Sequence, residues 1–326
     1  PRGDRPSRAV SGEQPWQVIS NPIPTMSASL LDPAPLMRIL SLEFRARVVV
    51  EGFWSGIHRS PYHGFSAEFS EYRQYAPGDD TRHVDWRVFA RSDRYYIKKF
   101  EDETNLRCQL LVDGSRSMLF GGDPDITKHD YAATLAATFA YFLARQGDAV
   151  GLTRFDDSVR DYLPPKSSPG HLRRLMLALE PPADGRSTEF GQPLERVAQM
   201  NNRRGMFVLL SDLLAPLEEL ENRLGMLRAR GNEVLVFQVL DRRELDFEFE
   251  KAAQFTDLES GRRYFIEPAA AKANYRERIE RHLQEAEALC GRSGIDYHLC
   301  ITDQPLDLSL FDLLSARRGS SGPASG

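Results

Sequence analysis

The sequence predicts an α/β fold, a mostly parallel sheet flanked by helices. From Leu106 onward, short apolar runs alternate with segments of helical period, the pattern of βαβ units. Several helical segments open on Pro and close near Gly, as helix ends do. The first apolar run of this half leads straight into a turn rich in Asp, Ser and Gly, as at the carboxyl edge of a parallel sheet.

The strands expected are Leu106–Val112, Ala149–Phe155, Met206–Leu210, Val234–Leu240 and Tyr297–Ile301. Antiparallel edge pieces are expected near Val159–Leu163 and Arg263–Ile266. Helices are expected at Thr127–Gln146, Gly170–Leu179, Gly191–Asn201, Pro216–Arg230, Pro268–Cys290 and Pro305–Ala316. Tyr131, Leu135, Phe139 and Phe142 share one helical face, which reads as core. The mixed charges of Asn274–Glu287 read as a solvated face.

Ahead of this unit, residues 26–103 read as a smaller β-rich amino-terminal appendage. A helix-like start is followed by a β-rich Arg47–Gly52 and a stretch dense in Gly, Pro, Tyr and charge. Its sparse apolar pattern points to packing against the α/β unit, which spans residues 104–316. Residues 1–25 are expected to be disordered or non-native, with Met26 a candidate start, and residues 317–326 to form a disordered tail.

Composition narrows the function classes. A hydrophobic share of 41% and a charged share of 27% fit a folded protein. The net charge of −5 gives no overall pull toward nucleic acid. Three widely spaced cysteines form no disulfide framework and suit a reducing compartment. No apolar stretch reaches the ~18 residues of a membrane span, so a cytoplasmic location without a direct span is expected.

The candidate site begins where Leu110–Val112 runs into Asp113–Gly114–Ser115–Arg116–Ser117. One carboxylate and two hydroxyls in a single turn are the hard oxygen donors that Mg²⁺ prefers, with Mn²⁺ or Ca²⁺ as alternatives. Gly114 is read as the residue that lets the loop turn tightly. The same serines also suit turns and helix caps, so the motif alone leaves both readings open. Two later loops add donors: Thr188, with Ser187 as the second candidate, and Asp212 at the end of the strand through Leu210. In that chain order the set resembles the metal-ion-dependent adhesion site of von Willebrand factor A domains.

The run Gly56–Ser66, then Glu68–Phe69, Tyr72–Asp80, Arg82–Trp86 and Ala90–Arg91 is similar to the bacterial family catalogued as domain of unknown function 58. The likeness continues through Phe100–Glu103, the Asp113 loop, Arg145–Asp148, Leu210–Asp212 and Gly294–Tyr297, covering about Leu42 to Leu314. The resemblance implies a von Willebrand A-like (Rossmann-like) domain with metal ligands Asp113, Ser115, Ser117, Thr188 and Asp212. It also implies an adaptor or assembly role beside MoxR-type AAA+ ATPases, which would offer an acidic residue to the metal. Many relatives carry apolar amino-terminal spans, and no such stretch occurs in this sequence.

Two other constellations compete. His58, His63, Asp79, Asp80, His83 and Asp85 offer transition-metal ligands, but their spacing matches no helical HExxH or CxxC pattern and favours structural use. Aromatics interleave with basic residues from Arg82 to Phe100, yet neighbouring acids can pair with those bases, which favours an interdomain contact over nucleic acid. The sequence lacks GxSxG, a P-loop, and a histidine beside the Asp113 loop. Binding is therefore expected, with a metal-assisted hydrolase acting at the Asp113 loop as the alternative.

Overall fold

The computed structural model describes residues 32–59, 72–74, 96–98, 106–122, 126–185, 187–201, 203–247, 249, 253–258 and 261–320. The segment expected to be disordered at residues 1–25 lies outside these, as do residues 321–326 of the expected tail, whereas residues 317–320 of that tail are helical, a correction to the expected boundary. Also outside the described residues are His63, Asp79, Asp80, His83, Asp85 and nearly all of Arg82–Phe100.

Ten strands are described. A short antiparallel pair, β1 (Tyr72–Gln74) and β2 (Tyr96–Lys98), precedes the main sheet. That sheet comprises β3 (Arg107–Asp113), β4 (Ala149–Phe155), β5 (Val159–Lys166), β6 (Met206–Ser211), β7 (Glu233–Leu240) and β10 (Asp296–Ile301). Its spatial order is β10-β7-β6-β3-β4-β5, parallel throughout except for β5. Renumbered within the sheet, this is the doubly wound order 3-2-1-4-5-6, with its switch point between β3 and β6. The expected α/β fold with helices on both faces is what forms.

Period-two alternation sorts the strand residues onto two cores. Leu110, Val112, Val208, Leu210, Leu235 and Phe237 face one side. Leu111, Phe207, Leu209, Val234 and Val236 face the other. The first side is covered by α3 (Lys128–Arg145), α4 (His171–Leu179) and α9 (Asp307–Ser320), the second by α5 (Gly191–Met200), α6 (Leu217–Ala229) and α8 (Pro268–Arg292).

A short helix, α1 (Pro33–Met37), and the 18-residue α2 (Leu42–Arg59) correct the β-rich reading of Arg47–Gly52. Leu42, Ala46, Val49, Val50 and Phe53 recur at helical spacing and are buried in the core that contains α3. Three consecutive valines favour strand locally, but burial of this stripe outweighs that preference. Trp54 stacks on Phe142 at 5.7 Å and Phe53 meets the same ring edge-on. Arg45 adds a 2.9 Å hydrogen bond to Thr134. Residues 33–55 thus pack into the α/β core, and the strands described in the expected appendage are β1 and β2.

The helix α3 lies between α2 and the sheet, which explains why fourteen of its eighteen residues are buried. Val49→Ala is expected to cost about 2 kcal/mol in urea denaturation, because two fully buried methyl groups are removed from the core. Denaturation unchanged by that substitution would place α2 outside the cooperative unit.

Arg263–Ile266 is a strand, β9, but it pairs with β8 (Ala253–Thr256) in a separate hairpin and not with the main sheet. The hairpin follows a short helix, α7 (Arg242–Asp246), whose next residue, Phe247, stacks on Phe255 of β8. On the exposed face of α8, Arg281 pairs with Glu277. Among the described residues no helix is long and apolar enough to cross a membrane.

Candidate functional site

Asp113 ends β3 and Ser211 ends β6, so the carboxyl ends of the two central strands meet at the switch point. Asp113 is fully buried. One of its oxygens accepts the Ser115 amide at 2.8 Å. The other accepts the Ser211 hydroxyl at 2.5 Å and the Thr188 hydroxyl at 3.4 Å. The hydroxyls of Ser115 and Ser117 stand 3.0 Å apart. A single 3₁₀ turn, Arg116–Leu119, follows, anchored by the buried Met118.

The loops are fastened to one another through the backbone. Gly114 N–H donates to the Phe155 carbonyl at 2.7 Å, and Gly185 N–H donates to the Gly114 carbonyl at 3.1 Å. A Cβ at Gly114 would meet only ordinary van der Waals contact, so the expectation that the turn itself needs this glycine is corrected. Gly185 is where space is required: a Cβ there would lie 2.6 Å from the Gly114 carbonyl oxygen and from the Asp156 side chain. The second loop can therefore close on the first only with glycine, and this brings Thr188 to Asp113.

Beyond β6, Leu213 adopts a left-handed backbone at φ 55°, uncommon for a branched apolar residue. Its amide donates to Ser211 Oγ at 3.1 Å, and the Leu214 amide donates to Asp212 Oδ1 at 3.1 Å. Gln238 donates to the Asp212 carbonyl at 2.8 Å and is itself held by Tyr297. This strained turn aims the Asp212 carboxylate along the sheet edge, toward α3.

There it meets Lys128, the first residue of α3, whose side chain is fully buried. The ammonium donates to Asp212 Oδ2 at 2.8 Å and to Glu244 of α7 at 2.7 Å. Burial works against its charge, yet the two carboxylates outweigh it and push its pKa up to about 12. Asp113 moves up to about 7, first through burial and then through repulsion from Asp212, against the hydrogen bonds of Ser211 and Ser115. Burial likewise raises Glu244, although Lys128 pulls the other way.

Asp113, Ser115, Ser117, Thr188 and Asp212 thus gather at one sheet edge, with the Thr188 hydroxyl, the choice preferred to Ser187, on Asp113. Sequence reading missed Ser211, Lys128 and Glu244. A fully buried cation at the first position of a helix, where the helix dipole opposes it, is the feature that marks Lys128. The donor chemistry suits a hard divalent cation, since hydroxyl and carboxylate oxygens converge. With the three carboxylates ionised, Lys128 leaves a formal charge of −2, which one such ion offsets.

The family described as protein of unknown function DUF58 matches residues 71–288. Uncharacterized proteins of Mycobacterium bovis and Mycobacterium tuberculosis are 28% identical over 259 residues, which is 77% of this chain and 80% of theirs. An aerotolerance-related membrane protein from Bacteroides fragilis has a TM-score of 0.46 at 15% identity, covering 65% of this chain and 99% of that one. BatB from Bacteroides thetaiotaomicron gives 0.45 at 11%, with the same coverages. The von Willebrand A domain of SpRpn10 gives 0.36 at 14%, covering 63% and 93%.

Proposed function

We propose that this chain, which belongs to the DUF58 family, is a divalent-cation-dependent protein-binding module. The observation that carries this reading is the convergence of Ser115, Ser117 and Thr188 hydroxyls around the buried Asp113, at the switch point of the sheet. Neutral hydroxyls compensate little of an ion's charge, so an ion held there remains electrophilic. Near-octahedral coordination leaves positions held by water, and a partner carboxylate can replace one. Mg²⁺ is the ion proposed, with Mn²⁺ or Ca²⁺ as substitutes.

The partner proposed is a MoxR-type AAA+ ATPase in the cytoplasm, presenting an Asp or Glu to the ion, with assembly or activation of other proteins as the outcome. The reading is one of binding and not of catalysis.

Calorimetric titration with Mn²⁺ tests the site. Asp113→Ala is expected to abolish binding while the circular dichroism spectrum is kept, because Asp113 is the last residue of β3 and its side chain serves the site at the sheet edge. Binding to the ATPase is expected to need Mg²⁺, to be lost in chelator, and to fall with the same substitution. Unchanged Mn²⁺ affinity in Asp113→Ala, or full ATPase affinity in chelator, would overturn the reading.

A further inference from the structure

We infer that Lys128 is the resident counter-ion of this site, a positioning residue that holds Asp212 and thereby limits how tightly the site takes a divalent cation. The inference rests on the metal reading above and adds a residue outside the expected ligand set.

Geometry supports it. Lys128 is the buried cation bonded to a carboxylate of that set, through Asp212 Oδ2 at 2.8 Å. The other oxygen of Asp212 already accepts the Leu214 amide, so both oxygens are occupied within the protein. An ion entering beside Asp113 must then share Asp212 with an ammonium or draw it away. Lys128 cannot swing aside cheaply, because its side chain is fully buried, lies 5.8 Å from the Phe120 ring centre and is gripped by Glu244.

The arrangement also explains how two buried carboxylates coexist at a sheet edge before an ion arrives. Asp212 and Glu244 would repel across the gap between β6 and α7, and the ammonium between them removes that repulsion. A lysine suits this role because it is a compact point charge on a long stem, able to reach both carboxylates from the start of α3. The consequence is a ligand set that keeps its shape when empty and binds its ion less tightly than the same oxygens would alone.

Removing a unit charge bonded to a ligand carboxylate is expected to raise dication affinity at least about tenfold. The experiment compares Mn²⁺ affinity, by calorimetry and by the melting shift on adding Mn²⁺, in the full chain, Lys128→Met and Lys128→Met/Glu244→Gln. The double variant leaves no unpaired Glu244 and keeps the formal charge, so it guards against a single variant that fails to fold. Tighter binding by both, with Lys128→Met tightest, is the expected result. Equal affinities in all three, with Asp113→Ala still abolishing binding, would overturn the role of Lys128 while leaving the metal reading intact. Absence of binding in all three would overturn both. Binding confined to the Lys128 variants would support Lys128 as resident cation and overturn metal dependence of the natural chain.

Discussion

Asp113→Asn is expected to stabilise the metal-free protein at pH 8 while it weakens or abolishes cation binding. Burial, and then repulsion from Asp212, push the native carboxyl group up to about 7, against 3.8 when free. A carboxyl group raised in the folded state favours folding when protonated. That contribution is complete below the unfolded value and disappears as pH rises through about 7. The interval corresponds to about 4 kcal/mol of stability lost by the metal-free protein between pH 4 and pH 8. Asparagine retains an acceptor for the Ser115 amide and presents a donor to the Ser211 and Thr188 hydroxyls, which can accept. Urea denaturation in chelator at pH 5 and pH 8 measures the effect. Relative to the variant, the natural chain should lose stability as pH rises across this interval. On the proposed reading, saturating Mn²⁺ restores the natural chain at pH 8 and leaves the variant unmoved. Identical denaturation of the two proteins at both pH values would refute the electrostatic account of Asp113.

Arg154→Ala is expected to cost about 3–4 kcal/mol, since it strips several acceptors of a charged donor at once. Arg154 lies on β4 with its guanidinium buried under the turn after α4. It donates to the carbonyls of Ala178 at 3.3 Å, Pro181 at 3.1 Å and Pro182 at 3.0 Å, and pairs with Asp161 at 3.4 Å. Prolines supply no amide hydrogens, so this turn depends on side-chain donors, and His129 adds one at the Pro181 carbonyl. The same turn feeds Gly185 and Thr188 into the site, so cation affinity should fall together with stability. Arg154→Lys should recover only part of either, because an ammonium lacks the planar fork that spans adjacent carbonyls. Denaturation and Mn²⁺ titration of the three proteins check this. Stability lost without any change in cation affinity would detach Arg154 from the site and leave it a structural residue.

The alternation of apolar runs was sufficient to place the main strands and helices, because burial on both faces of a parallel sheet leaves a one-dimensional trace. Six of the seven strands expected in Leu106–Ile301, including the antiparallel Val159–Leu163 piece, entered the main sheet, and Arg263–Ile266 pairs with β8 instead. The turn after β3 was equally legible, since Asp113, Ser115 and Ser117 lie within five residues and need no distant partner to be recognised. Arg47–Gly52 was misread because three valines favour strand locally, whereas the helix is stabilised by burial against α3, a contact about ninety residues away along the chain.

What only the tertiary structure decided is which charges face one another. The sequence offers Lys128, Asp212 and Glu244 as three ordinary charged residues, separated by 84 and 116 positions from the lysine. Likewise Gly185 reads as one glycine among many until the Gly114 carbonyl is set against it. Ser211 is one serine among many in the sequence, and only the strand end turns its hydroxyl onto Asp113. Strand and helix periodicity report burial, which acts residue by residue and so leaves its mark in the local pattern. Ion pairs and close backbone approaches depend on the register between β3, β6 and the helices that follow them, and no local pattern encodes that register.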